Sequence, residues 1–137
     1  MHVVAHYRDG RVVKGTSLDL DPGRPVCHVA MDFGPLVKVT LKELKALYVV
    51  RTLAGDRRRS DRQEVEADDL RRRGAHAVEV TFEDGEQLVG LTLHHPVAGQ
   101  HFFLLPADPE SNNVRILVNR GAVSAIREVS GAALASA

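Results

Sequence analysis

The chain has 137 residues, with 18 lysines and arginines balanced by 18 aspartates and glutamates, and a single cysteine. The balance of charge excludes a global field that would draw the protein to nucleic acid or to an anionic membrane. No segment approaches the roughly 20 apolar residues of a membrane-spanning helix, and the sequence does not begin with a basic stretch followed by a long apolar one. These features predict a cytoplasmic protein that contacts no membrane.

The beginning of the chain recurs, without a gap, in its second half. Residues 3–18 align with residues 78–93, and the apolar positions that alternate in one copy also alternate in the other. Alternation with a period of two is typical of a strand with one buried face. We therefore expect an internal duplication in which each copy is a β-rich unit.

Glycines mark the turn and the second strand of each copy. The pairs Asp9-Gly10 and Asp84-Gly85 stand between the first two strands, where a two-residue hairpin turn requires positive φ. Gly15 and Gly90 occupy the same place inside the second strand, and a glycine there is typical of a bulge or a sharp bend. A bent second strand would help a short sheet to curl into a barrel.

A third apolar run and two further strands complete each unit. The third runs are Val26–Met31 and Phe102–Leu105, and turns rich in Asp, Pro, Gly and Asn follow them. In the first copy Lys42–Lys45 then fits a single helical turn before a last strand. The segments that we expect are a first barrel at 1–53, a connector at 54–75, a second barrel at 76–130 and a disordered tail at 131–137.

This order of elements resembles the five-stranded small barrels of the Sm-like and Src-homology (SH3-like) types, in which one helical turn separates the last two strands. The second copy, above all Phe102–Asn113 after Val80–Gly85, is also similar to an uncharacterised family of bacterial proteins built from two such halves. The resemblance implies an all-β fold of two tandem five-stranded barrels, and a bacterial origin. It implies no activity, because small barrels carry unrelated functions.

The connector between the units is dense in charge and has two interpretations. Ser60 and Gln63 form a capping-box pattern, and Arg71–Arg73 suit the C-terminal end of a helix. The apolar stripe is limited to Val65, Leu70 and one alanine, whereas a docked helix needs a wider apolar face. A helix and a solvated linker both stay open.

The arginines of the connector raise a second functional class. Arg58 and Arg62, with Arg57 beside them, match the Arg-x-x-x-Arg spacing that precedes the barrel of PilZ domains, which bind cyclic diguanylate. Guanidinium groups can hold phosphates in a bidentate manner. The polar residues that PilZ domains place on a following strand are missing from the second copy. These three arginines are therefore candidate phosphate-binding residues for an alternative function, nucleotide or nucleic-acid binding.

Other chemical signatures are absent from the sequence. Cys27 lies in an apolar run, so we expect a buried thiol. The seven histidines lack the spacing of a zinc site, and neither Gly-x-Ser-x-Gly nor a phosphate-binding glycine loop occurs. The chain has no tryptophan, and its arginine clusters are interleaved with acids, which weakens their attraction for nucleic acid. We expect no enzyme activity, no metal and no cofactor, and nucleic-acid binding only as the alternative function.

The third strand of the second copy points to a covering partner. The run Phe102–Leu105 is apolar on both faces, whereas a barrel exposed on its outer side should alternate with polar residues. Either the third strand of the first barrel covers it, which is the simpler expectation, or a second copy does so in a homodimer. The leading hypothesis is a non-enzymatic interaction or adaptor module that binds a protein partner. Its candidate contact residues are Phe103, Asp108, Ser111, Asn112 and Asn113.

Overall fold

The computed structural model describes residues 1–55, 61–95, 97 and 99–129, and these residues contain ten β-strands. The strands of the first half are β1 (His2–Tyr7), β2 (Val12–Thr16), β3 (Val26–Ala30), β4 (Leu36–Thr40) and β5 (Leu44–Val50). The strands of the second half are β6 (His76–Phe82), β7 (Gln87–Thr92), β8 (His101–Pro106), β9 (Asn113–Asn119) and β10 (Val123–Glu128). Short 3-10 turns lie at Leu41–Glu43, Leu70–Arg73 and Arg120–Ala122.

The two halves repeat the same elements at fixed offsets in sequence. Thr16 pairs with Ala30 and, 75 positions later, Leu91 pairs with Leu105. The 3-10 turns that precede β5 and β10 begin 79 positions apart, because 11 residues separate the paired Leu104 and Ile116, whereas 7 separate the equivalent pair Val29 and Val37. Equivalent residues are therefore 75 apart through the third strand and 79 apart from the fourth strand onward.

Hydrogen bonds join the ten strands into one antiparallel sheet, which is open. Its order is β10-β6-β7-β8-β9-β5-β1-β2-β3-β4, so β10 and β4 are the free edges of the sheet as far as the described residues form it. The predicted all-β class is confirmed. The two closed five-stranded barrels are not confirmed, because β5 pairs with β1 and with β9 of the other half, and not with β4 of its own half.

Strands β5 and β9 form the junction because each is apolar on both faces. Leu47 of β5 lies in the core of the first half, whereas Ala46 lies in the core of the second half. In β9, Leu117 belongs to the first core and Val118 to the second. Burial of each larger aliphatic side chain contributes roughly 1.5–3 kcal/mol. The apolar third strands do not pair with each other, since β3 and β8 form hydrogen bonds only within their own halves.

The Asp-Gly hairpins form, with one more loop residue than predicted. Tyr7 N donates to Arg11 O at 2.9 Å, and Gly10 N donates to Tyr7 O at 3.1 Å, which closes a three-residue loop. Gly10 and its equivalent Gly85 have φ of 96° and 91°. A turn that ends in a left-handed glycine is the usual form of a three-residue hairpin, so the glycine is required as predicted and the loop length is not.

Gly15 and Gly90 allow the second and third strands of each half to approach closely. A Cβ atom on Gly15 would lie 2.3 Å from the carbonyl oxygen of Ala30, and one on Gly90 would lie 2.2 Å from that of Leu105. The second strand pairs with the third over only one or two residues. The sheet therefore turns sharply at these glycines, where two backbones are nearly in contact.

The described part of the connector docks on the second half. Val65 is 3% exposed and packs in a small cluster with Leu91 and Ala107. Arg71 pairs with Asp69 at 2.8 Å and donates to the carbonyl oxygen of Ala107 at 3.0 Å. Between residues 61 and 75 the only helical element is one 3-10 turn. Residues 56–60 and 130–137 lie outside the described residues, and with them Ser60 of the capping box and the predicted disordered tail.

Candidate functional site

The Asp108–Asn113 turn forms hydrogen bonds with other segments of the same chain. It carries four of the predicted contact residues. Asp108 and Ser111 are 5% and 1% exposed. The backbone N–H of Arg62 donates to Asp108 Oδ2 at 3.1 Å, and Ser111 Oγ donates to Asp61 Oδ2 at 2.6 Å. Both contacts hold the connector against the second half.

Asn112 and Asn113 lie at the junction between the halves. Thr52 N donates to Asn112 Oδ1 at 3.1 Å, and Asn112 Nδ2 donates back to Thr52 O at 3.0 Å. Asn113 begins β9 and lies opposite Val50 of β5. The turn therefore clasps the end of β5, that is, it forms hydrogen bonds with the backbone just beyond this strand. Asn112 and Asn113 thereby stabilise the contact between the two halves.

The candidate phosphate-binding arginines are only partly described. Arg57 and Arg58 lie outside the described residues. The guanidinium of Arg62 forms an ion pair with Glu66, and its backbone binds the Asp108–Asn113 turn. The alternative function, nucleotide or nucleic-acid binding, stays a prediction.

Phe103, the fifth predicted contact residue, lies at an apolar cavity of the second half. Its half-buried ring packs against the core of the first half, and the guanidinium carbon of Arg115 lies 4.5 Å from the ring centroid. The cavity has a volume of about 220 Å³. Its lining consists of Pro22, Thr92, Leu93, His94, Val97, His101, Phe102 and Phe103.

Strands β7 and β8, with the loop between them, position this lining. β7 ends at Thr92 and β8 begins at His101, so the sharp turn of the sheet at Gly90 brings both strand ends to one place. Pro22, from the loop after β2, adds a residue of the first half to the wall. Leu93 is 69% exposed, and it gives the cavity an apolar rim.

The first half has a polar pair at the equivalent position. Asp19 and His28 correspond, 75 positions earlier, to His94 and Phe103. The backbone N–H of His28 donates to Asp19 Oδ1 at 2.8 Å, and the ring Nδ1 lies 2.6 Å from Asp19 Oδ2. The hydrogen bonds from the backbone and then the ring of His28, with one from Ser17, lower the pKa of Asp19 to about 2. The second half cannot form the side-chain pair, because the ring of Phe103 has no hydrogen-bonding group and His94 stands in place of the carboxylate, and a cavity lies there instead.

Two buried histidine nitrogens in the same region have no hydrogen-bond partner among the described residues. They are His95 Nδ1 and His101 Nε2. A buried polar group without a partner costs about 1–3 kcal/mol. His101 lines the cavity, so the candidate site includes a polar residue with an unused hydrogen-bonding atom.

Sequence reasoning missed most of this cavity. The candidate contact residues included Phe103 but not Leu93, His94 or His101, because exposed leucines and histidines without metal-site spacing are common on surfaces. A usable signal was present in the aligned copies, where the hydrogen-bonding Asp19 and its partner are replaced by a histidine and a phenylalanine.

A reactive thiol, a metal-binding cluster or a membrane-spanning helix in the described part of the chain would indicate a further function. Cys27 is a free thiol with none of its surface exposed, as predicted, and burial raises its pKa. In the described ranges no three His, Cys, Asp or Glu side chains are placed to hold a metal ion. Among the same residues, no helix has the length and apolar character that crossing a bilayer requires.

The fold and the site define a class of small all-β protein with two similar halves, a shared central strand pair and an apolar cavity beside the junction. The model of a family of unknown function, DUF6982, matches residues 1–130. The chain belongs to this family, which confirms the resemblance to an uncharacterised family. No curated protein and no solved structure matches the chain.

Proposed function

We propose that this protein is a non-enzymatic interaction module, and that the cavity at β7 and β8 takes one apolar side chain of a partner protein. The observation that carries the proposal is the open apolar cavity at the position where the first half has the hydrogen-bonded pair Asp19 and His28. Apolar surface that is left open on one of two duplicated units is typical of an interaction site.

The size of the cavity favours a single side chain over a cofactor. Sites for drug-sized ligands usually have volumes of about 300–1,000 Å³, and this cavity has about 220 Å³. Phe102, Phe103 and Leu93 supply apolar walls. Anchor side chains in such pockets contribute a large share of the binding energy of many protein complexes.

We also propose an evolutionary origin and a cellular location for the protein. Each half has the strand order 5-1-2-3-4 and a single 3-10 turn before its last strand, which supports descent of each half from one small barrel of the Sm-like or SH3-like type. We place the protein in the bacterial cytoplasm, on the balance of charge and the single buried cysteine.

Selection of peptides from a displayed random library on the wild-type protein tests the proposal. We expect the selected peptides to share one large apolar residue. Their affinity, measured by fluorescence anisotropy, should fall at least about tenfold for Leu93→Asp, because loss of an anchor contact costs about 1.4 kcal/mol or more.

Leu18→Asp is the matched control for this experiment. Leu18 is the equivalent of Leu93 in the first half, is 92% exposed and does not line the cavity. The control should bind the peptides as the wild type does, and both variants should unfold cooperatively. Peptides that bind both variants equally well would show that the cavity is not the site.

A further inference from the structure

The strand order of the sheet repeats one unit of five strands, and the two units follow each other in the same direction. Numbered within its own half, each unit runs 4-3-2-1-5, as β4-β3-β2-β1-β5 and then β9-β8-β7-β6-β10. The contact between the halves joins a fifth strand, β5, to a fourth strand, β9. A contact between two different surfaces leaves one unused copy of each surface at the ends of the array. The unused surfaces are the fourth strand β4 and the fifth strand β10.

We propose that copies of this chain associate head to tail, with β10 of one copy pairing antiparallel with β4 of the next, as β5 pairs with β9 inside the chain. The proposal concerns the free edges of the sheet and is independent of the cavity and its partner. Free edges present unpaired main-chain N–H and C=O groups to which another strand can be added. A second copy supplies β10, whose equivalent β5 already pairs inside the chain with β9, the equivalent of β4.

The internal contact predicts the register between copies. In the pair of β5 and β9, Ala46 lies opposite Val118. Their equivalents, 79 positions away, are Ala125 of β10 and Val39 of β4. In the contact between copies an alanine thus lies opposite a valine, as it does inside the chain. The small alanine lets the two backbones approach to the same distance.

In this register the charges of the two edges are complementary. Lys38 of β4 lies directly opposite Ile126 of β10, and Glu128 lies two residues further along the same face. Both Lys38 and Glu128 are exposed. Diagonal neighbours on one face of an antiparallel pair are within reach of long side chains, and opposite charges there are favourable.

Exposed apolar side chains surround the free edge of β4. Phe33 is fully exposed, and Leu36 and Met31 are 67% and 37% exposed. Phe33 has a φ of 56°, a left-handed conformation that is strained for a bulky residue. Counted back from the fourth strand, Phe33 is the equivalent of Asn112, which clasps Thr52 beyond the end of β5. The strained Phe33 therefore lies at the edge of β4 in the position that Asn112 occupies in the contact between β5 and β9.

The contact between copies is weaker than the internal contact, because charged residues replace apolar ones. Lys38 is the equivalent of Leu117, which is 2% exposed in the junction. Arg127 is the equivalent of Tyr48, which packs against the second core. Charges on edge strands oppose permanent pairing, so we expect an association that reverses on dilution.

Sedimentation velocity over a range of protein concentrations tests the association. The wild type should form species larger than one chain that dissociate on dilution. Lys38→Glu places a negative charge near Glu128 and should weaken the association about fivefold. Adding Glu128→Lys to that variant should restore it. Lys14→Glu, on β2 and two strands in from the edge, should leave it unchanged.

Paired cysteines identify the strands in contact. Leu36→Cys with Glu128→Cys places the two thiols opposite each other in the proposed register, and oxidation should give covalent dimers and longer ladders on a non-reducing gel. Leu18→Cys with Glu128→Cys is the control and should stay a single chain. A disulfide inside one chain would mean that β10 and β4 of the same molecule close the sheet, and it would overturn the proposal. A single-chain mass at every concentration would also overturn it.

Discussion

One pair of equivalent positions carries different chemistry in the two halves of the molecule. In the first half Asp19 accepts hydrogen bonds from His28 and fixes the loop between β2 and β3. In the second half the equivalents, His94 and Phe103, line the cavity. The strands on either side have the same order in both halves. The duplication therefore retains the residues that bend the sheet, such as Gly15 and Gly90, and varies those on loops and edges.

The largest effect that we expect comes from adding a side chain at the glycines that both halves retain. Gly90→Ala puts Cβ 2.2 Å from the carbonyl oxygen of Leu105, and Gly15→Ala puts it 2.3 Å from that of Ala30. Both overlaps involve backbone, which cannot rotate away, so each variant should lose about 3 kcal/mol of unfolding free energy. Urea denaturation followed by circular dichroism measures the loss.

Gly74→Ala is the control for this prediction. Gly74 has a negative φ of −123° and no atom within 4 Å of an added Cβ. Its substitution should change the unfolding free energy by less than about 1 kcal/mol. Equal losses at Gly74 and Gly90 would show that close approach of the strands is not the reason for the retained glycines.

These shared elements are the part of the fold that the sequence predicts. Alternation around Asp9-Gly10 and Asp84-Gly85 indicates the strands and hairpins, because the side-chain period of a strand and the positive φ of its turn are local properties. The partner of a strand is not local. The run Leu47–Val50 is apolar on both faces, which signals burial from two sides, but it does not say that β9 supplies the second side.

A smaller loss of unfolding free energy should distinguish β9, the fourth strand that pairs with the other half, from β4, the fourth strand at the free edge. At the end of β9, Asn119 is 1% exposed, and its Nδ2 donates to the carbonyl oxygens of Leu44 and Lys42 at 2.8 and 3.1 Å. Asn119→Ala leaves these acceptors without that donor and should lower the unfolding free energy by about 2 kcal/mol. The equivalent residue of β4, Thr40, makes no side-chain cap.

Thr40→Ala is thus the matched control for Asn119→Ala. It should cost less than about 1 kcal/mol, the range of strand propensity alone. Urea midpoints of the two variants, measured side by side, provide the comparison. A loss at Thr40 as large as that at Asn119 would contradict the distinction between joined and free edges.

The candidate site shows a similar limit of sequence reasoning. Of the five candidate contact residues that the sequence indicated, Phe103 lines the cavity. Residues of the Asp108–Asn113 turn hold the connector and clasp the end of β5, and their contact with a partner stays a prediction. Turn residues such as Asp, Ser and Asn serve turns, clasps and binding sites alike, so only their contacts in three dimensions distinguish these roles.

The smallest expected effect depends on pH and tests the polar pair of the first half. Asp19 has a pKa of about 2 in the folded chain and about 3.9 in an unfolded one. Because the folded pKa is the lower of the two, the ionised carboxylate stabilises the fold fully above about pH 4, and this stabilisation is lost as the pH falls through 2. Asp19→Asn removes the ionisable group, so the wild type should be more stable than the variant at pH 6, and the difference should shrink between about pH 4 and pH 2. Thermal unfolding at several pH values measures it, with Asp32→Asn on the exposed turn before β4 as the control. A difference that is independent of pH would mean that the carboxylate of Asp19 acts through its shape and not through its charge, and that the pair with His28 does not distinguish the first half electrostatically.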